Sequence, residues 1–194
     1  MKPFSKIEFL IVSFILLTIV VISLYNFGIA KRRGRDAQRK NDIGAIADAL
    51  NKYANDFAIF PAASDGMIVA CQGEEIWDEV QAKIVFALRP CEWGRDFLRD
   101  VNDPNYPAYL QTIPIEPQSK EGLTYTYLSN GRRFQILASL EGKDEDEYES
   151  AIEARGISCG ARICNFGRSS GRTPLDRSIE EYENELMEME EKSK

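Results

Sequence analysis

Residues 9 to 57 read FLIVSFILLTIVVISLYNFGIA, KRRGRDAQRK and NDIGAIADALNKYANDF in succession, and the fold turns on how far this stretch is one helix. Phe9 to Ala30 is free of charge. At about 1.5 Å per residue, a helix of that length crosses a hydrocarbon core of roughly 30 Å. A cleaved signal peptide would have a shorter apolar core and a small-x-small cleavage site. This run is instead followed by Lys31-Arg32-Arg33, so the segment is expected to stay as a membrane helix. Beyond the basic knot, Ile43, Ile46, Ala47, Leu50, Tyr53, Ala54 and Phe57 fall on one helical stripe. No proline lies between Pro3 and Pro61. One helix from about Phe4 to Asp56 is therefore predicted, apolar all round in its first half and amphipathic in its second. Gly28, Gly34 and Gly44 weaken it, each by about 1 kcal/mol relative to Ala, which marks Gly28 and Gly34 at the membrane exit as a candidate hinge.

Around this core stretch the chain has 194 residues, 44% of them hydrophobic and 28% charged, with four Cys, no His and a net charge of -7. The absence of His removes the commonest general base, the usual zinc ligand and the ordinary pH switch, so no catalytic role and no cofactor are expected. The charge is segregated. Residues 31–40 hold six bases and one acid, whereas residues 41–194 carry -13. A nucleic-acid binder would spread its bases over a folded face, and here they form one knot beside an apolar run. The positive-inside rule would put residues 31 onward in the cytoplasm, while four Cys argue for an oxidising compartment.

The head is expected at residues 58–166. Ile76, Val80, Ile84 and Leu88 recur every four residues and predict a helix over Glu75 to Leu88, with another near Trp93 to Val101. Two strands are predicted at Leu123 to Leu128 and Arg133 to Leu140, joined through Asn130-Gly131, with a third strand from residues 150–166 or from the preceding loops. The sheet would cover the Ile43 to Phe57 stripe. Cys71, Cys91, Cys159 and Cys164 allow three pairings, of which Cys71 with Cys91 and Cys159 with Cys164 close the shortest loops. A four-thiolate zinc site is the rival, without a C-x2-C spacing to support it. Gly167-Arg-Ser169-Ser-Gly171 fits the nucleophile-elbow pattern G-x-S-x-G, but without His it reads as a linker. The acidic run Asp144 to Glu147 reads as a solvated turn, with calcium binding as the alternative. In residues 167–194, Ile179, Tyr182, Leu186 and Met189 draw a short seam on an acidic helix, expected to be mobile.

Phe4-Ser5-Lys6-Ile7-Glu8, an apolar run, an amphipathic helix and a small head follow in an order that resembles the type IV pilin and type II secretion major pseudopilin family. That family's N-terminal motif is a Phe with Glu four residues later. Arg35, Asp36, Arg39, Asp42, Ile43, Ile46, Ala49, Leu50, Tyr53 and Phe60-Pro61 fall where its members place like residues. The match resumes at Tyr109 to Pro114, Tyr125 to Tyr127 and Phe134 to Glu141. The resemblance implies an α+β pilin fold: a long N-terminal helix, with a transmembrane half (residues 1–30) and an amphipathic half (residues 31–57), packed against a small antiparallel sheet.

It further implies a filament subunit that polymerises through this helix into a helical homopolymer, served by an inner-membrane assembly platform and a motor ATPase. The subunit would begin as a single-pass inner-membrane protein with a cytoplasmic N-terminus, and end in a filament on the cell surface. Glu8 would set axial register by pairing with a cation of a neighbouring copy. Pro3 stands where the family has a small residue before the scissile bond. The cation is thus the Phe4 amine if residues 1–3 are removed, or Lys2 or Lys6 if they stay. The basic knot would meet anionic headgroups before assembly and acidic neighbours after it. The competing reading is a non-polymerising, single-pass membrane-anchored protein whose acidic extracytoplasmic domain binds a partner.

Overall fold

The computed structural model describes residues 5–80, 82–103 and 105–193. Helix α1 runs unbroken from Lys6 to Phe57, close to the predicted limits. At its start the Ser5 hydroxyl accepts from the Glu8 backbone N–H, while the Glu8 carboxylate accepts from the Ser5 N–H at 2.7 Å. This is a reciprocal capping box. At its end Ala58 takes a left-handed conformation and donates its N–H to the Ala54 carbonyl. The helix runs on through Gly28 and Gly34, because a helical glycine weakens the ladder without removing a hydrogen bond.

Two three-stranded antiparallel sheets form the head. The first comprises β1 (Ala62–Ser64), β2 (Met67–Asp78) and β3 (Lys83–Pro90) in that order. The second comprises β4 (Thr126–Ser129), β5 (Phe134–Ala138) and β6 (Phe166–Ser169). The helix predicted over Glu75 to Leu88 is instead the β2–β3 hairpin, with Trp77 opposite Ile84 and Asp78 opposite Lys83. A spacing of four is common to a helix face and a strand face, so Ile76, Val80, Ile84 and Leu88 could not separate the two. The alternation of Ile84, Phe86 and Leu88 on β3 is the period-two signal that counted. Asp65-Gly66, both at positive φ, makes the two-residue turn between β1 and β2, a hairpin signal as strong as the Asn-Gly pair.

The second predicted helix is also absent. Gly94 at φ 78° breaks the chain, and Leu98 forms an antiparallel bridge with Leu110. The predicted pair of strands is present as β4, which starts three residues later and ends one residue later than predicted, and β5, which is shorter at each end, with a four-residue loop at Asn130 to Arg133.

Strand β6 corrects the reading of residues 167–171 as a linker. It starts at Phe166 and carries Gly167 into the sheet, where a Cβ would lie 2.7 Å from the Ile136 carbonyl oxygen. The glycine serves close backbone approach. All five residues of β5 are buried. Phe134, Ile136 and Ala138 join Ile43, Ile46, Leu50, Tyr53, Tyr125 and Tyr127 in the main core. On the other face, Leu137 packs with Ile152 of α2 (Ser150–Ala154) and with Cys159 and Cys164. Disulfides join Cys71 to Cys91 and Cys159 to Cys164, the pairing expected from local closure, so these thiolates do not form a zinc site.

The acidic tail forms α3 (Ile179–Lys192), capped by Ser178 and Glu181. Its start is docked. Ile179 is buried, Gln135 donates to the Pro174 and Arg177 carbonyls, and the Arg133 guanidinium lies 4.9 Å from the Tyr182 ring centroid. The expectation of a mobile tail fails for this first part, because a buried amide of β5 holds the chain leading into the helix.

Candidate functional site at the membrane end of the helix

From Lys6 to Gly28 every residue of the helix is exposed. Its apolar side chains from Ile7 to Phe27 are exposed, among them Phe14 at 71% and Tyr25 at 74%. The segment is long and apolar enough to cross a membrane, with a mean hydropathy of 2.8 over its 18-residue apolar window. Thr18 returns its hydroxyl proton to the Phe14 carbonyl, which hides one of the few polar groups on this surface. Of the residues assigned to assembly, Lys6 opens the helix and Glu8 serves its cap. Lys2, Pro3 and Phe4 lie outside the described residues.

Burial begins where the basic knot begins. Arg32, Asp36, Arg39 and Ile43 recur at intervals of three to four residues, so the charged line continues the apolar stripe and faces the same head. Arg39 has no exposed surface. Its Nε donates to Glu116 at 2.6 Å, its Nη1 to Asp36 and Glu141 at 2.8 Å each, and its Nη2 to the Gln118 side-chain carbonyl at 2.8 Å.

Asp36, equally buried, also accepts the backbone N–H groups of Glu141 and Gly142 at 2.9 and 3.0 Å. It anchors the segment that leaves β5. Arg35 grips Glu141 with two bonds, at 2.6 and 2.5 Å. Lys40 meets Glu145 and Glu147 at 2.9 Å, and Arg32 meets Asp144 at 2.7 Å.

The electrostatics follow from this geometry. Burial disfavours the Arg39 charge, but hydrogen bonds to Glu141, Glu116 and Asp36 more than offset it, and its pKa lies above the ordinary value. Hydrogen bonds from Arg35, and then from Arg39, hold the Glu141 carboxyl down at about 2. One turn further on, burial pushes the Asp42 carboxyl up, against the opposing bond from the Tyr125 hydroxyl at 2.7 Å.

The acidic run is a turn with Asp144, Asp146 and Glu147 exposed to solvent, as expected, and three of its carboxylates are held by bases of α1. Asp144, Glu145 and Glu147 are taken by Arg32 and Lys40, and no group of three or more acidic or cysteine ligands is placed to hold a metal among the described residues. The basic knot is likewise not wholly free for headgroups or neighbouring subunits. Arg32, Arg35, Arg39 and Lys40 are engaged within the chain and Arg33 lies 3.8 Å from the Asp144 carboxylate, while Lys31 stays outward.

Sequence reasoning missed Glu116, Asp36 and Glu141 as partners of one arginine. The available signal was the phase of the charged residues, on the line of the apolar stripe and opposite a dense acidic segment. Comparison of the chain with protein families, with curated proteins and with solved structures gives no match.

Proposed function

We propose that the chain is a structural subunit of a type IV pilus-like or pseudopilus filament, polymerising through the first half of α1. One observation carries this reading. A single unbroken helix has a wholly exposed apolar half of about 36 Å and a second half that is the buried spine of the head. A lipid bilayer can cover the first half, and so can a bundle of like helices. The charged clamp from Arg32 to Lys40 makes the joint between the two halves stiff, so that a displacement of the helix is a displacement of the head.

Glu8 supplies a charge that a neighbouring cation satisfies only at one axial offset, because a carboxylate in an apolar medium costs several kcal/mol when unpaired. The test is imaging of surface filaments for Glu8→Leu and Glu8→Gln. Gln preserves the capping box and removes the charge, so loss of filaments in both variants is expected. Normal filaments from Glu8→Leu would end the register role. A wild-type protein that remains in the membrane fraction without forming filaments would favour the single-pass, partner-binding reading instead.

A further inference from the structure

The β2–β3 hairpin ends in an apolar patch that the fold leaves uncovered. Trp77 and Ile84 face each other across the strands and are each 62% exposed, and Val80 in the connecting turn is 95% exposed. Acidic side chains border the patch. Glu74, Glu75 and Glu79 are exposed and have no ion-pair partner among the described residues. The hairpin stem lies level with the last turn of α1, since Asp78, Val85 and Phe86 line one cleft with Tyr53 and Phe57.

A surface of matching character exists elsewhere on the chain. Phe27, Lys31, Gly34 and Gln38, spaced by four, three and four residues, form an exposed line on α1 turned away from Asp36, Arg39 and Ile43. Phe27 is 68% exposed and Lys31 has no ion pair among the described residues. At Gly34 an added Cβ would meet nothing within 4 Å, so the bare backbone there serves no contact inside the described fold. The line is basic and apolar where the hairpin end is acidic and apolar. Within one chain the two cannot meet, because Lys31 and Phe57 are about 40 Å apart along a continuous helix.

We propose that the hairpin end of one subunit docks on the membrane-exit line of α1 in a second copy of the chain. Trp77, Val80 and Ile84 cover Phe27 and the open backbone at Gly34, with Glu79 beside Lys31. The occupant is a second copy because charge complementarity and the unused glycine surface are both found on this same chain. The two patches differ, so the contact is head-to-tail, and it propagates into an open stack with an axial offset of about 40 Å. The inference rests on the filament reading and adds its lateral contact.

All four native cysteines are in disulfides, so an engineered pair reports the contact directly. Filaments of Val80→Cys/Gly34→Cys are oxidised and compared with Val80→Cys/Phe14→Cys, whose helix site lies about 30 Å nearer the N-terminus. The first pair is expected to give covalent oligomers several-fold above the second. Filaments that form normally with equal yields from the two pairs would overturn the docking alone, as would an 80-to-80 product by itself. A wild type that makes no filaments would overturn the polymer reading and this contact with it. As an independent measurement, Glu79→Lys should lower filament yield and added Lys31→Glu should restore it; failure of the double variant to recover would also overturn the pairing.

Discussion

Replacing Arg39 by Met tests whether the head is held to the helix by the buried charge cluster. Met fills most of the aliphatic volume and removes the guanidinium. Asp36, fully buried, would keep only its two backbone donors, and Glu116, 3% exposed, would keep the Gln118 N–H. Glu141 would keep Arg35. Removing one member of a buried ionic group leaves uncompensated charge and costs about 3 to 5 kcal/mol. For a unit of this size, about 2 to 4 °C of melting temperature is lost per kcal/mol, so a drop of roughly 10 °C is expected.

The assay is thermal unfolding of the detergent-solubilised chain at pH 7, followed by near-ultraviolet circular dichroism, to which Trp93 against Tyr125 contributes, with ring centroids 5.9 Å apart. A second arm repeats the melt in acid. In the wild type the Glu141 carboxyl is held down at about 2 by Arg35 and Arg39, so the part of its stabilisation that depends on Arg39 is lost as pH falls from about 4.5 toward 2, and the gap between variant and wild type should narrow there. A loss smaller than about 3 °C at pH 7, or a gap that widens in acid, would refute the assignment of Arg39 as the joint.

Glu141 fixes the sign of the acid response. Its pKa is depressed from 4.5 to about 2, so its contribution is complete above about pH 4.5 and is lost as pH falls toward 2. Asp42, shifted upward by burial, acts in the opposite sense and offsets part of this loss. Glu141→Gln should therefore be less stable than wild type at pH 7 but show a shallower decline in acid; parallel declines in urea titrations at pH 5 and pH 3 would show that the clamp does not set the slope. The two disulfides should differ in weight. By the loop-closure relation, the Cys71–Cys91 crosslink contributes about 3 kcal/mol and the shorter Cys159–Cys164 loop about 2 kcal/mol. Paired Cys→Ala variants should then melt in that order, and the reverse order would argue that the burial of Cys159 and Cys164 outweighs chain entropy.

The part of the fold set by local periodicity was readable in the amino-acid order. Phe9 to Ala30 could only be a helix in lipid or among other apolar helices, and the stripe from Ile43 to Phe57 repeats at 3.6 residues over several turns. Each signal is long, and each residue in it votes the same way. The hairpin over residues 67 to 90 was not read, because a four-residue interval satisfies two geometries and only the short period-two alternation of Ile84, Phe86 and Leu88 separates them. Strand β6 escaped notice for a related reason: Gly167 weakens a strand in isolation and is required only once Ile136 is packed beside it.

The clamp depended wholly on tertiary structure. In sequence, Arg32 to Lys40 are a basic knot and Asp144 to Glu147 an acidic run, about a hundred residues apart. Their phases on helix and loop, and the burial of Arg39 against Asp36, Glu116 and Glu141, exist only after β5 lies across α1 and delivers Glu141 to it. A net charge of -7 is fixed by composition; which charges face each other is fixed by the sheet, since a pair forms only where packing brings its members within a few ångströms and removes the water between them.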